Sequence, residues 1–181
     1  MAVYFTADLH FNHAGVIGFD NRPFANVDEM NRCMVEYWNA RVKDKDEVYI
    51  LGDFSLSKQD TKEFAPKLKG KKYLILGNHD KKFPELRELF EDVYDYKKLR
   101  INKQTIVMSH YFMPSYESQY RGGIMLHGHS HNTAVSLLEE RVKAMFAEEG
   151  TPCRAYNVGC MYFGYAPATI EEIISYWKNQ K

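Results

Sequence analysis

Hydrophobic residues along the chain recur at two spacings, one typical of strands and the other of helices. Short, almost continuous apolar runs predict strands that are buried on both faces. These runs lie at 3–7, 47–51, 72–76, 105–108 and 123–126, with a further pair of strands at 92–101 and 154–158. Strands of this kind that alternate with amphipathic helices predict an α/β fold, in which helices cover sheets.

Amphipathic segments with recognisable start signals predict the helices. Asn26 and Glu29 form a capping pair ahead of the longest segment, and Thr169 and Glu172 form a capping box ahead of the last one. The predicted helices are 27–42, a short one around Leu86, Leu89 and Phe90, one over 135–146, and one over 170–177.

The helix predicted over 135–146 has one continuous apolar face and ends before Gly150 and Pro152. An apolar stripe at helical spacing is typical of a face that packs on a core, so we expect this face to be buried. Its members are Val135, Leu138, Val142, Met145 and Phe146.

Length and composition are those of one compact domain over residues 1–181. The chain is 45% hydrophobic and 14% aromatic, and it has no internal repeat and no linker-like stretch. Lysine plus arginine equals aspartate plus glutamate at 24 each, so overall charge does not direct the protein toward nucleic acid or an anionic membrane.

We see neither an apolar run of the roughly 18 to 20 residues that a membrane span needs nor a secretion signal, and we expect a cytoplasmic protein. Three cysteines without CxxC spacing suggest neither a disulfide framework nor a thiolate zinc site.

Polar side chains that can bind metals follow five of the predicted strands. Ligands of α/β sheets bind beyond the carboxyl ends of strands, so five such ends can converge on one site. A single His or Asp after a strand is usually a turn residue or a helix cap, whereas five such strings in one chain favour a shared site. The strings are Asp8-Leu9-His10, Gly52-Asp53, Gly77-Asn78-His79-Asp80, Ser109-His110 and His127-Gly128-His129-Ser130-His131.

The side chains in these strings are carboxylates, imidazoles and an amide, which suit Mn, Fe, Zn, Co or Ni. In an extended backbone, residues two apart project to the same side. We therefore expect Asp8 with His10, and His129 with His131, each to clamp one ion. Glycines directly before candidate ligands indicate close approach of the backbone, because they lack a Cβ atom. These glycines are Gly52, Gly77 and Gly128.

Together the five strings resemble the motif series of the calcineurin-like metallophosphoesterase superfamily. Residues 5–13 and 21–24 also resemble a small bacterial and phage branch of it, usually described as predicted phosphoesterases. The resemblance runs over 3–131 and resumes at 157–159, while residues 132–153 carry a helix-like insertion in place of a short connection. It implies an α/β fold that is a four-layer α/β/β/α sandwich of two mixed sheets, with two metals beyond the strand ends.

The resemblance also implies a ligand set and a mechanism. One ion would be held by Asp8, His10, Asp53 and His131, and the other by Asp53, Asn78, His110 and His129. A metal-bound hydroxide would attack phosphorus in line and hydrolyse a phosphomonoester or phosphodiester. His79 would be the catalytic histidine that protonates the leaving oxygen, and Asp80 would orient its ring.

Three other functions stay open: a catalytically idle binding module on the same fold, and a nuclease or a protein phosphatase within the enzyme class. An idle module should lack ligands, and no motif is missing here, which favours the enzyme. Neutral net charge and the lack of a separate nucleic-acid domain count against a dedicated nuclease. We expect a hydrolase that acts on a small phosphate ester or nucleotide-type substrate with two divalent transition metal ions, manganese before the others.

Two loops, 11–24 and 111–122, are long enough to select the substrate. Each combines aromatic residues with one arginine, Arg22 in the first and Arg121 in the second. An arginine fork pairs with phosphate and an aromatic ring stacks on a flat leaving group, so both arginines are candidate substrate contacts. The alternative is that the rings anchor the loops and the arginines meet carboxylates.

Overall fold

Two β-sheets lie face to face, with helices against the outer side of the first. The computed structural model describes residues 1–80 and 85–180. The strands are β1 (Val3–Thr6), β2 (Glu47–Leu51), β3 (Lys71–Ile75), β4 (Asp92–Tyr94), β5 (Lys97–Ile101), β6 (Gln104–Met108), β7 (Ile124–His127), β8 (Ala155–Asn157) and β9 (Ala168–Thr169). The α-helices are α1 (Ala14–Phe19), α2 (Val27–Arg41), α3 (Lys58–Phe64), α4 (Leu86–Leu89), α5 (Ala134–Glu148) and α6 (Ile170–Lys178).

Both sheets are mixed, which confirms the predicted fold class. The first has the order β4-β3-β2-β1-β9, with β1 to β4 parallel and β9 antiparallel. The second has the order β5-β6-β7-β8, with β5 antiparallel to β6 and the other pairs parallel. The carboxyl ends of β1, β2 and β3 therefore meet at one edge of the first sheet, and those of β6 and β7 meet at one edge of the second.

The apolar side chains of the strands are buried on both faces of the first sheet. Leu51 of β2 points into the layer between the sheets, where it meets residues such as Ile106 of β6. Its neighbour Ile50 points to the opposite face and packs with Trp38 of α2. This alternation explains why the strands read as continuous apolar runs in the sequence.

A loop covers part of the outer face of the second sheet. Val107 of β6 and Met125 of β7 pack there with Tyr116, and Phe112 and Met113 lie against the same cluster. Tyr116 and Phe112 of the loop 111–122 thus anchor the loop to the sheet, as expected if they do not contact substrate.

Most of the predicted elements are present, and most of the predicted boundaries differ from the observed ones by one residue or none. Asn26 accepts a hydrogen bond from the backbone N–H of Glu29, and the capping box at Thr169 is formed. The sequence pattern missed α1, which contains two glycines, and α3, whose sequence KQDTKEF is mostly polar. No helix in the described ranges is long and apolar enough to cross a membrane.

The prediction that the apolar face of α5 is buried is wrong. Val135, Leu138 and Met145 are 49%, 59% and 62% exposed, respectively. The one buried residue within the helix is Glu139, whose carboxylate accepts a hydrogen bond from the Ser130 hydroxyl at 2.8 Å. The helix therefore turns a polar side toward the sandwich and its apolar side outward.

Candidate metal centre

The strand ends bring all seven predicted ligands together between the two sheets. Backbone hydrogen bonds tie the loop after β1 to the loop after β2: Asp8 N–H donates to the Gly52 carbonyl at 3.0 Å and His10 N–H to the Asp53 carbonyl at 2.9 Å. The loop after β7 of the second sheet is connected to the loop after β1 through Asp8, whose carboxylate accepts a hydrogen bond from the backbone N–H of His129 at 3.0 Å. The site is therefore built from both sheets at once.

The first donor group consists of Asp8, His10 and His131, all of them buried. Their ligand atoms lie within 4.8 Å of one another. Nε2 of His10 is 3.3 Å from Nε2 of His131, and Asp8 Oδ1 is 3.7 Å from the same His131 nitrogen. Two imidazole nitrogens that face each other in this way could each donate a lone pair to one divalent cation bound between them.

The second donor group consists of Asp53, His110 and His129, with the amide of Asn78. Asn78 Oδ1 lies 3.0 Å from His110 Nε2 and 3.0 Å from His129 Nδ1. Oxygen and nitrogen donors without thiolate match the metals expected from the sequence. Both groups thus fit divalent transition metals by the chemistry of their donors.

Asp53 lies between the two donor groups. Its Oδ2 is 3.5 Å from His110 Nε2 of its own group and 3.7 Å from His10 Nε2 of the first. A carboxylate in this position can contact two ions at once, as the resemblance implies for Asp53. The full coordination set stays a prediction.

The expected pairing of alternate residues on an extended backbone is wrong. Asp8 and His10 do share a donor group, but His129 and His131 belong to different groups. The backbone is not extended at either pair, with φ of 70° at His129, 46° at His131, 57° at Asp8 and 52° at His10, so the rule that residues two apart share a side does not apply. Asp53 also has positive φ, at 54°. Such conformations cost roughly 1–2 kcal/mol per residue and cluster at functional sites.

Glycines make room for the donors, as predicted. A Cβ atom on Gly77 would lie 2.3 Å from Asp53 Oδ1, and one on Gly52 would lie 2.3 Å from His110 Nδ1. Both distances are far below van der Waals contact. Any side chain at these two positions would displace a candidate ligand.

Burial and neighbouring charges shift the pKa values of the two carboxylates in opposite directions. Burial raises the pKa of Asp8 to about 6, because the nearby histidines offset only part of the desolvation. Burial also opposes ionisation of Asp53, but His110 outweighs it and lowers the pKa to about 2. Burial lowers the pKa of His10 to about 3. His10 is therefore neutral near pH 7, with a lone pair free for a metal.

His79 lies at the open side of the centre. Its side chain is 45% exposed, and its Nε2 lies 4.0 Å from Asp53 Oδ2. Its ring packs edge-on against the His10 ring, with centroids 5.5 Å apart. This position reaches both the donor groups and solvent.

Asp80 does not contact the His79 ring, contrary to its predicted role. Its carboxylate accepts hydrogen bonds from the backbone N–H groups of Asp53 at 2.8 Å, Phe54 at 3.0 Å and Gly77 at 2.8 Å. Three backbone donors occupy both oxygens, so Asp80 joins the loop after β2 to the loop after β3. We reassign it from a partner of His79 to a support for Asp53.

The structure also contradicts substrate contacts by the two loop arginines. Arg22 has a fully buried side chain, and its guanidinium is occupied by protein acceptors. Arg121 is exposed, but the neighbouring Gly122 accepts a hydrogen bond from Gln104 at the start of β6. The loop 111–122 leaves the carboxyl end of β6 and must return to the amino end of the parallel β7, about 16 Å away for a five-residue strand. Arg121 therefore lies toward the end of the sheet opposite His110.

Two further residues touch the centre, and sequence reasoning missed one of them, Asp20. Asp20, which follows α1, places Oδ1 3.3 Å from Nδ1 of His131. Tyr111 lies edge-on against the His129 ring at 4.5 Å between centroids. Tyr111 directly follows His110 and is one of the aromatic residues that mark the loop 111–122 as a candidate substrate contact in the sequence. Asp20 directly follows α1 and has no sequence signal beyond its nearness to Arg22.

Two mixed sheets whose strand ends hold adjacent oxygen and nitrogen donor groups define an α/β protein with a candidate dinuclear metal centre. Residues 1–164 match the calcineurin-like phosphoesterase superfamily domain, and the chain belongs to this superfamily. Membership supports hydrolase activity in general.

Similar proteins cover between 74% and 96% of this chain. An uncharacterised protein of Methanocaldococcus jannaschii is 40% identical over 175 residues, which cover 95% of this chain and 89% of that protein. The gene 66 protein of Mycobacterium phage D29 is 31% identical over 162 residues, covering 74% and 80% of the two chains. The solved structure of a protein of unknown function from Aquifex aeolicus has a TM-score of 0.73 at 25% identity and covers 96% of this chain and 97% of its own.

Proposed function

We propose that the protein is a two-metal-dependent phosphoesterase that hydrolyses a phosphomonoester or phosphodiester. The observation that carries the proposal is the pair of donor groups that meet at Asp53, beside an exposed histidine. The idle-module alternative predicts missing donors, and each of the seven predicted ligands is present with its neighbours within reach.

The donor groups would hold one divalent ion each, with Asp53 shared between them. Ions bound there would supply Lewis-acid stabilisation of the phosphoryl oxygens and a nucleophile from water near neutral pH. Manganese is our first expectation, and Fe, Zn, Co or Ni would suit the same donors.

The residues of the chain would position the phosphate and handle the leaving group. His79 is the candidate proton donor to the leaving oxygen, because its ring is exposed and lies beside Asp53. The half-exposed rings of Tyr111 and Phe19 flank the centre, the first against His129 and the second 5.5 Å from the His131 ring. Either ring could stack on a flat part of a small phosphate ester or nucleotide-type substrate.

The test is hydrolysis of generic phosphate esters by metal-stripped and metal-restored protein. We expect no turnover of p-nitrophenyl phosphate or its bis-ester after chelation, and recovery of at least one activity when Mn²⁺ is added. Asp28→Asn, at a residue in the first turn of α2, serves as a control that should behave like the wild type. Undiminished hydrolysis by the stripped protein would overturn the proposal.

A further inference from the structure

Asp20 and Arg22 form a buried link between α1 and the first donor group (Asp8, His10 and His131). The side chain of Asp20 is 1% exposed. One of its oxygens lies 3.3 Å from His131 Nδ1, and the other accepts a hydrogen bond from Arg22 Nε at 3.0 Å. His131 faces the donor group through its other nitrogen, Nε2. Asp20 thus sits behind the ring, on the side away from the candidate ion.

The two terminal nitrogens of Arg22 donate hydrogen bonds to the backbone after β1, and one of them also contacts the sulfur atoms of Met30 and Met34. One terminal nitrogen donates to the Leu9 carbonyl at 2.9 Å, and the other donates to the Asp8 carbonyl at 2.7 Å. These two carbonyls belong to the segment that carries Asp8 and His10. One arginine therefore connects the carboxylate behind His131 to the chain that supplies the other two donors.

We propose that Asp20 and Arg22 are positioning residues for the ion held by the first donor group. The inference rests on the two-metal site proposed above. A carboxylate that accepts a hydrogen bond from Nδ1–H would fix the tautomer that keeps Nε2 unprotonated and aims it at the metal, and would make that nitrogen a better donor; Asp20 Oδ1, 3.3 Å from Nδ1, is placed to do so. Arg22 compensates the charge of Asp20 in the interior, where an unpaired carboxylate would be costly.

The geometry confines this effect to one of the two ions. His110 of the second donor group is oriented differently, since its Nδ1 lies 2.8 Å from the Leu51 backbone carbonyl. Among the described residues, Asp20 and Arg22 contact His131, the Asp8–Leu9 backbone and the side chains of Met30, Met34 and Tyr165. They contact no side chain of the second group. Loss of Asp20 should thus weaken one binding step and spare the other.

The planar guanidinium of Arg22 donates to three acceptors in different directions: the Asp20 carboxylate and the backbone carbonyls of Leu9 and Asp8. This arrangement requires arginine at position 22. A lysine ammonium lacks the planar set of donors of a guanidinium, so it cannot donate to the Asp20 carboxylate and to both carbonyls with the same geometry. Arg22→Lys keeps the charge and should lose most of the connection. It is the second variant in the test below.

The experiment titrates metal-stripped full-length protein with Co²⁺ and follows the visible absorption bands, with a competing chelator to set the affinity scale. For Asp20→Asn we expect one of two Co²⁺ sites to weaken about 10- to 100-fold with altered bands, while the other site keeps its wild-type affinity. Arg22→Lys should weaken the same site. Glu140→Gln, at a half-exposed carboxylate on α5, is the matched control and should leave both sites unchanged.

Circular dichroism and the Tm of each metal-free variant establish that it is folded before titration. If the wild type binds two Co²⁺ ions and Asp20→Asn binds both as tightly with the same spectrum, the positioning role is wrong while the proposed function stands. Equal weakening of both sites would also overturn it, because the contacts reach only one group. A wild-type chain that binds no Co²⁺ would contradict the metal centre itself.

Discussion

His79 differs from the buried histidines of the centre by its exposure. Its side chain is 45% exposed, whereas those of His10 and His110 are 2% and 1% exposed. We predict that His79→Ala retains the bound metal and loses about 10²- to 10⁴-fold in turnover, since that is the usual contribution of a general acid. Metal content by mass spectrometry and kcat on the best substrate found above measure the two effects separately.

Asp53→Asn is the comparison variant, because Asp53 lies between both donor groups. It should lower the content of both ions along with the activity. If His79→Ala loses metal to the same extent as Asp53→Asn, then His79 is a ligand and its assignment here is wrong.

At the scale of single residues, the sequence predicted the donors but not the partners of Arg22 and Asp80. The donors follow strand ends, and sheet topology brings the strand ends together independently of the conformation of the loops. Arg22 and Asp80 instead bind backbone amides and carbonyls, whose positions depend on loop conformation. The left-handed backbone at His129 and His131 is likewise a property of the loop. The spacing of these residues in the sequence does not predict it.

At the scale of elements, α5 and α6 carry similar apolar stripes but bury them differently. Ile173 of α6 is fully buried, and Leu138 of α5 is 59% exposed. We predict that Ile173→Ala destabilises the protein by about 2–5 kcal/mol, while Leu138→Ala changes stability by no more than about 0.5 kcal/mol. Urea unfolding of the two variants measures the difference. A cost of several kcal/mol for Leu138→Ala would mean that this face of α5 is covered.

Hydrophobic periodicity explains why the helices were predicted correctly and why the buried face of α5 was not. A stripe at helical spacing establishes that a segment is helical and which residues share a face, so α2, α5 and α6 were predicted correctly as helices. The direction of that face depends on what the helix meets. In α5 the inward side carries Glu139, bonded to Ser130 between two candidate ligands, and nothing in the pattern of 135–146 distinguishes this from a core helix.

At the scale of the whole molecule, Glu139 links stability to pH. Burial raises its pKa to about 7 from an ordinary value of 4.5. The folded state therefore holds a proton that the unfolded state has lost between these values, so this group stabilises the fold most below about pH 4.5, and that contribution is lost as the pH rises through 7. We predict that Glu139→Gln, which stays neutral, raises the Tm of the metal-free protein at pH 8 and has a much smaller effect at pH 5.

Thermal unfolding of the wild type and the variant at both pH values checks this prediction. Ser136→Ala, on the same helix, is a suitable control and should show no such pH dependence. An equal Tm difference at pH 5 and pH 8 would show that Glu139 does not titrate in this range.

The central claim is that two ions, bound by donors from both sheets, are required for phosphate ester hydrolysis. The most direct measurement is a titration of metal-stripped protein with Mn²⁺ in which bound Mn²⁺ per chain and hydrolysis of a generic phosphodiester or monoester are followed together. We predict no hydrolysis without metal and full activity only as binding approaches two ions per chain. Full activity at one ion per chain, or in the stripped protein, would contradict it.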